Sequence, residues 1–227
     1  MENLIKLIEE YDHLYEMVKE CPYRFLKKMS VYHFKQEEMV IHQGDAIHRF
    51  YIIVEGTAKI YVMSENGRTY SQAIYQKGDF IGEIEIFDQY LSVSNVKALT
   101  DLTLIGIDGN DFLEWMRIDN HMSYYFNRSL AKYLYNLAMK SGVDSLYPLK
   151  YRLCDYILKE MVPYQRNQYI VRISKNQMSE HLAVTLRSIN RVLKELAGKK
   201  IIKLRDNGII VSNIQLLNDE KAKSMLE

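Results

Sequence analysis

Arg187, Asn190, Arg191 and Lys194 recur at i, i+3, i+4 and i+7, the spacing of one face of an α-helix. At 1.5 Å per residue this row spans roughly 10 Å, enough to follow a major groove. A guanidinium can donate two hydrogen bonds to guanine O6 and N7, and a carboxamide can pair with adenine N6 and N7. Ile189, Val192, Leu193 and Leu196 form an apolar stripe at the same spacing, so the helix has one side to bury and one to offer. Most such polar rows are only solvated helix faces. What precedes and follows this one sets its meaning.

Upstream, Ser174-Lys-Asn-Gln177 is a capping box, and Ile173 is placed to staple onto Met178. Eleven residues after Ser174, Thr185 can cap a second helix, with Val184 placed to staple onto Ile189. The first helix is therefore about two turns long, with Ala183 and Val184 at the turn. Ser179 and Ala183 are small where two crossing helices must come close. This is helix-turn-helix spacing. Gly198 ends the second helix. Ile201 to Arg205, Asp206-Asn207-Gly208 and Ile209 to Val211 then predict a hairpin. Lys199, Lys200, Lys203 and Arg205 lie on or beside it, which suits a wing on neighbouring phosphates. A hairpin that simply closes the small core has the same pattern, and both roles can hold.

The chain has 227 residues, 48% of them apolar and 26% charged, which is ordinary globular composition. Its net charge of +1 is an average over unlike halves. Met1 to Ser145 carries 15 basic and 21 acidic residues, and Leu146 to Glu227 carries 15 and 8. Only the basic back half suits a polyanion. No run of 18 apolar residues occurs, so no membrane partner is expected. Glu2, Glu9 and Glu10 and the missing apolar core argue against a secretory signal at the start. Cys21 and Cys154 are too few for a disulfide framework, a four-cysteine zinc site or an iron–sulfur cluster, and a reducing cytoplasm fits.

Residues 1–30 read as helical, from Leu4, Leu7, Ile8, Tyr11, Leu14, Tyr15 and Val18, with Pro22 interrupting. From Tyr32 to Ile107 glycines and β-branched runs alternate. Gly44, Gly56, Gly67 and Gly78 are 12, 11 and 11 residues apart, the rhythm of short antiparallel strands in a sandwich or barrel. Phe50 to Val54, Thr57 to Met63 and Thr69 to Tyr75 are three of the strands, and Asn66-Gly67 is a hairpin turn in which both residues tolerate positive φ. Asp108 to Arg117 predicts a short helix, and about Asn120 to Lys140 a longer one. On the latter, Met122, Phe126, Leu130, Tyr133 and Leu137 step by 4, 4, 3 and 4, close to a heptad seam. Such a seam packs on the barrel or on its copy in a homodimer. Ser141 to Ser145 reads as a hinge with Gly142 as the helix stop. A helix from Leu149 to Met161, a loop from Pro163 to Gln168 and a short strand complete the lead into the helix-turn-helix.

With these elements in place, the chain resembles the CRP/FNR family of bacterial transcription regulators along most of its length. Gln43-Gly44-Asp45, Tyr51-Ile-Ile-Val-Glu-Gly56 and Gly78-Asp-Phe-Ile-Gly-Glu83 match the family's roll framework, and Ile173 through Leu196 matches its DNA domain without gaps. The resemblance implies an α+β chain. A jelly-roll-like, cyclic-nucleotide-binding-like β-roll with N-terminal helices spans 1–118. A dimerisation helix and hinge span 119–145, and a winged helix-turn-helix spans 146–227. Family positions that read bases fall on Arg187, Asn190 and Arg191. Ser174, Thr185, Ser188, Lys194, Lys199 and Lys203 are expected on phosphates. Double-stranded DNA, a second copy and RNA polymerase are the implied partners; Pro163 to Gln168 occupies a position where some members touch the polymerase. Met122, Phe126, Leu130, Tyr133 and Leu137 are the expected dimer contacts.

The effector is where this chain departs. Cyclic-nucleotide members follow their Gly-Glu pair, some ten residues on, with an arginine that neutralises the cyclic phosphate. Here Gly82-Glu83 is followed by no basic residue before Lys97. A buried phosphate without a cation is costly, so cyclic AMP is expected not to bind well, and Glu83 is structural or the partner of another ligand's hydroxyl. An unknown effector would meet Tyr70, Gly82, Glu83, Ile84, Ser92, Ser94 and Tyr125. Regulation by abundance alone stays open. The roll contains no cysteine for a haem-sensing Cys/His pair, and His42 and His48 do not make a jelly-roll metal site. No metal and no cofactor are expected, and no enzyme activity. A small-molecule module whose winged helix binds protein is the rival reading. Ala183 stands where a glycine is often found, which predicts strain if φ is positive there.

Overall fold

The computed structural model describes residues 1–165 and 168–225. The chain divides into two compact units. One comprises Met1–Gly67 and Ser71–Asn136, and the other Arg68–Tyr70 and Leu137–Glu227.

The first unit opens with three short helices, α1 (Glu2–Glu10), α2 (Asp12–Val18) and α3 (Tyr23–Leu26), followed by β1 (Ser30–Phe34), β2 (Met39–Ile41), β3 (Arg49–Glu55), β4 (Thr57–Met63), β5 (Thr69–Gln76), β6 (Phe80–Ile81), β7 (Asn95–Ala98) and β8 (Leu102–Asp108). They form two four-stranded sheets, ordered β1-β8-β3-β6 and β2-β7-β4-β5. The pairings for which register is resolved are antiparallel; Phe50 faces Ile107 and Tyr51 faces Gly106 in the first sheet, and Ile60 faces Val96 in the second. This is the expected β-roll. In the β4–β5 turn only Gly67 takes a positive φ, +78°, and its N–H closes on the Ser64 carbonyl. Asn66 keeps an ordinary φ, unlike the two-residue turn expected for the pair.

Two helices follow, α4 (Gly109–Ile118) and the 27-residue α5 (Asn120–Leu146). Asp108 caps α4 by accepting from the Asn110 N–H. Buried Asp119 joins the two helices, accepting from the Trp115 indole at 2.7 Å and the Met122 N–H at 2.9 Å. The apolar interior is aromatic. Phe50 stacks on Phe112 at 3.6 Å, and Phe80 and Phe126 complete the cluster.

The seam of α5 is mostly spent inside its own chain. Met122 and Phe126 are buried in the first unit's core and Leu130 packs against it, so these residues are withdrawn from the expected dimer surface. Among the five seam residues only Leu137 is largely exposed. The predicted hinge also differs. Residues 141–145 are helical and α5 runs through Gly142 to Leu146. A glycine costs a helix only about 1 kcal/mol, and Asp144 is held by side-chain bonds on both sides of that position.

The second unit contains α6 (Leu149–Glu160), β9 (Val162–Gln165), β10 (Gln168–Val171), α7 (Lys175–Leu182), α8 (Leu186–Gly198), β11 (Ile202–Arg205), β12 (Gly208–Val211) and α9 (Ile214–Lys223). Its sheet runs β11-β12-β10-β9. Part of the loop expected at Pro163 to Gln168 is strand β9, and Arg166 and Asn167 lie outside the described residues. Gly208 at φ +142° is required: a Cβ there would fall on the Val171 carbonyl. Met178, Leu182, Ile189, Val192, Leu193 and Leu196 share one buried cluster, with Ile173 and Val184 packed against it.

Candidate nucleic-acid interface

Both caps form as the side-chain chemistry requires. Ser174 and Gln177 make the full capping box of α7, and Thr185 accepts from the Ser188 N–H at 3.2 Å to start α8. Ala183 adopts left-handed geometry, φ 54° and ψ 39°, which turns the chain between them. Ser179 donates from Oγ to the Val184 carbonyl, closing the turn.

Three cations of the second unit brace this motif from behind. Arg152 reaches the Leu182 carbonyl at 3.2 Å and Lys140 reaches the His181 carbonyl at 3.0 Å. These are the carbonyls that a helix C-terminus leaves without partners. Asp144 ties both cations together, at 2.9 Å from Arg152 and 3.1 Å from Lys140, and accepts from Tyr70 at 2.8 Å. Burial acts upward on the Asp144 carboxyl, but these bonds outweigh it and hold the group below the usual carboxylate value. The His181 ring stacks on Tyr156 at 4.2 Å. Burial lowers its pKa to about 4, with Lys140 adding to the shift, so it is neutral and packs as an apolar group. The third cation, Lys150, bonds Glu195 of α8 at 3.0 Å and Glu220 of α9 at 3.3 Å.

On α8 the buried stripe of Ile189, Val192, Leu193 and Leu196 turns the opposite face outward. Arg187, Arg191 and Lys194 are exposed and Asn190 is half-buried. Among the described residues, no protein hydrogen bond or ion pair occupies these four side chains. Lys203 on β11 is exposed in the same condition. Ser174, Thr185 and Ser188 have polar atoms in the caps, with Thr185 Oγ1 and Ser188 Oγ 3.0 Å apart. Lys199 differs from the expectation. Its ammonium is held between Glu195, at 3.0 Å, and Glu220, so it closes α8 onto α9 within the protein. An arginine is always charged and offers a rigid five-donor fork. Leaving two of them exposed and unpaired on one helix face creates a surface fit for base edges or phosphates.

In the first unit, the segment after Gly82 is packed from within. Gly82 sits at φ +86°, and a Cβ would come within 2.7 Å of the Arg49 carbonyl. Glu83 is only 5% exposed and accepts from the Tyr75 hydroxyl at 2.8 Å. Tyr75 stacks on Tyr133 of α5 at 5.1 Å. The Tyr133 hydroxyl donates to Asp79 at 3.0 Å and accepts from the Phe80 N–H at 3.3 Å. Burial raises the Glu83 pKa to about 7; its own backbone and Tyr75 act against the rise, while the Glu85 and Asp79 carboxylates add to it. Nearby, Ser92 donates to the Ser94 carbonyl at 2.8 Å and Ser94 donates to Gln72 at 2.6 Å.

The seven residues expected around an effector differ in exposure. Gly82, Glu83, Ser92 and Ser94 are buried, while Ile84 is exposed. Tyr125 packs against the aromatic core, its ring 6.1 Å from Phe80, and Tyr70 belongs to the second unit through Asp144. Tyr75 and Gln72, which do meet this segment, lie on β5. The strand expected over Thr69 to Tyr75 places Tyr75 in the roll, but nothing local points it at Glu83. Cys21 and Cys154 are free and buried, and burial pushes both thiols up to about 12. Among the described residues, no three His, Cys, Asp or Glu side chains are grouped to hold a metal ion. No helix among them is long and apolar enough to cross a membrane.

Two family models match in this order: a cyclic nucleotide-binding domain over residues 31–119 and a Crp-like helix-turn-helix domain over residues 151–220. The chain belongs to the CRP/FNR family. It is a transcription regulator with a cyclic-nucleotide-binding-type domain and a DNA-binding helix-turn-helix. Among similar proteins is the cAMP-activated global transcriptional regulator CRP of Salmonella typhimurium, 21% identical over 193 residues, or 82% of this chain and 91% of that one. Two solved structures share the fold. The c-di-GMP responsive regulator CLP of Xanthomonas campestris has a TM-score of 0.73 and 16% identity, covering 84% of this chain and 97% of its own. A CRP/FNR-family regulator of Thermus thermophilus has a TM-score of 0.69 and 16% identity, covering 86% and 100%.

Proposed function

We propose that this CRP/FNR regulator acts as a homodimer on near-palindromic DNA and that its roll does not take up cyclic AMP. The observation that carries the DNA reading is the unpaired, exposed Arg187 and Arg191 on a capped second helix. Arg187, Asn190 and Arg191 read bases, while Thr185, Ser188, Lys194 and Lys203 position the domain on phosphates. Two copies would present their α8 helices to successive major grooves about 34 Å apart. Such a regulator works in the cytoplasm, where the DNA is.

Dimerisation draws on the outer face of α5. Tyr124, Tyr135, Met139 and Leu146, which recur on one side of the helix, are all more than half exposed. A set of large apolar side chains left exposed along one helix favours a second protein surface over water. RNA polymerase is the proposed further partner, through the segment around Pro163.

Against cyclic AMP stands the charge of the roll. Between Glu83 and Lys97 the chain has no arginine or lysine, and the Glu83 carboxylate already has a hydroxyl partner in Tyr75. An effector of another chemistry, or control by abundance, fits these facts.

Selection from a random duplex library tests the central reading. Enrichment of a two-fold-related motif is the expected result. Failure to enrich any motif would favour a winged helix that binds protein. Thermal melting with micromolar cyclic AMP and cyclic GMP tests the roll. No stabilisation is expected, and a clear rise in melting temperature would overturn the charge argument.

A further inference from the structure

We propose that Leu186 reads the 5-methyl group of a thymine in each half-site. The inference rests on α8 being the helix that enters the major groove, and adds a residue and a base to that reading.

Leu186 is the first residue of α8 and 43% exposed. It lies outside the stripe that the second unit buries, although that unit's core takes Ile189, Val192, Leu193 and Leu196 from the same helix. Thr185 locks the turn in which it sits, through the Ser188 N–H and the Ser188 hydroxyl. The leucine is therefore held at the helix entrance beside exposed Arg187, and one turn before Asn190.

The N-terminal residues of a recognition helix are the ones that meet base edges. A leucine there has no donor or acceptor, so it cannot read guanine, cytosine or adenine. The C5-methyl of thymine is the apolar feature of the major-groove edge. Covering it removes both methyl surfaces from water, whereas any other base would leave Leu186 against a polar edge. One helical turn separates Leu186 from Asn190, so the thymine lies within one or two base pairs of the base that Asn190 reads.

The test begins with the full-length protein and a duplex enriched from a random library. Each dT of that duplex is replaced singly by dU, which removes only the methyl group. One position per half-site should bind wild-type protein about three- to fivefold more weakly as dU. Leu186→Ala should bind the dT and dU duplexes alike at that position. The wild-type measurement stands whether or not the variant folds. If every dT tolerates dU, or if the penalty persists in Leu186→Ala, the assignment is overturned while the DNA reading survives. If the library enriches nothing, the DNA reading itself falls and this assignment with it.

Discussion

The hydroxyl of Tyr75 donates to the carboxyl of Glu83 at 2.8 Å, in a region where no lysine or arginine follows Glu83 for 13 residues. A polar group buried in the roll is thus satisfied by the chain's own side chain. The stack of Tyr75 on Tyr133 carries that bond onto α5, where the second hydroxyl meets Asp79. One carboxyl–hydroxyl pair thereby tells α5 where to lie on the roll.

Glu83 should make stability depend on pH. Its folded pKa is raised to about 7, above the usual carboxylate value, so the fold prefers the protonated form. The contribution is present in full below the unfolded value and is lost as pH rises through about 7. Wild-type protein should gain melting temperature as pH falls from 8 to 5.5, relative to Glu83→Gln, by a few degrees. Parallel melting curves across that range would contradict the assignment. Tyr75, Tyr133, Asp79 and Glu85 surround the carboxyl, and none of them is altered by this substitution.

Arg191 and Lys203 should fail differently. Arg191→Ala should lose about 1–3 kcal/mol of discrimination at one base pair. Lys203→Ala should weaken all sequences alike and lower the slope of affinity against salt by about one. Binding isotherms on the selected site and on single-base variants, at several salt concentrations, separate the two. Uniform weakening by Arg191→Ala would make it a phosphate contact.

Tyr135 is 66% exposed on α5 and takes no part in the aromatic core. Tyr135→Glu should leave the monomer's melting nearly unchanged and shift sedimentation from dimer toward monomer. An unchanged dimer would move the interface off this face.

Ala183 holds φ at 54°, a region that costs a residue with a Cβ about 1 kcal/mol. Ala183→Gly should therefore raise the unfolding free energy by about 0.5–1 kcal/mol, read from urea midpoints at constant slope. A loss of stability would mean that the freedom glycine gains in the unfolded chain outweighs the relieved strain.

The motif from Ser174 to Leu196 is legible in the amino-acid order itself. A capping box, a second cap and two stripes on one helix are local rules, each acting over one or two turns. The strand rhythm of the roll and the wing's turn are local in the same sense. The hinge expected at 141–145 fails for the complementary reason. Gly142 weakens a helix locally, but Asp144 gains Tyr70, Lys140 and Arg152 as partners, and Tyr70 is 74 residues away in the chain.

Sequence alone determined the order of the two domains, the helix proposed to face DNA, and the lack of a lysine or arginine between Glu83 and Lys97. Those follow from residue type and spacing. Only the tertiary structure decided that Tyr75 satisfies Glu83, that Met122 and Phe126 turn inward while Tyr135 turns outward, and that Lys199 is spent on Glu195 and Glu220. A side chain's own properties state what partner it needs. Which partner it meets depends on how distant segments close on one another, and nothing within a few residues encodes that.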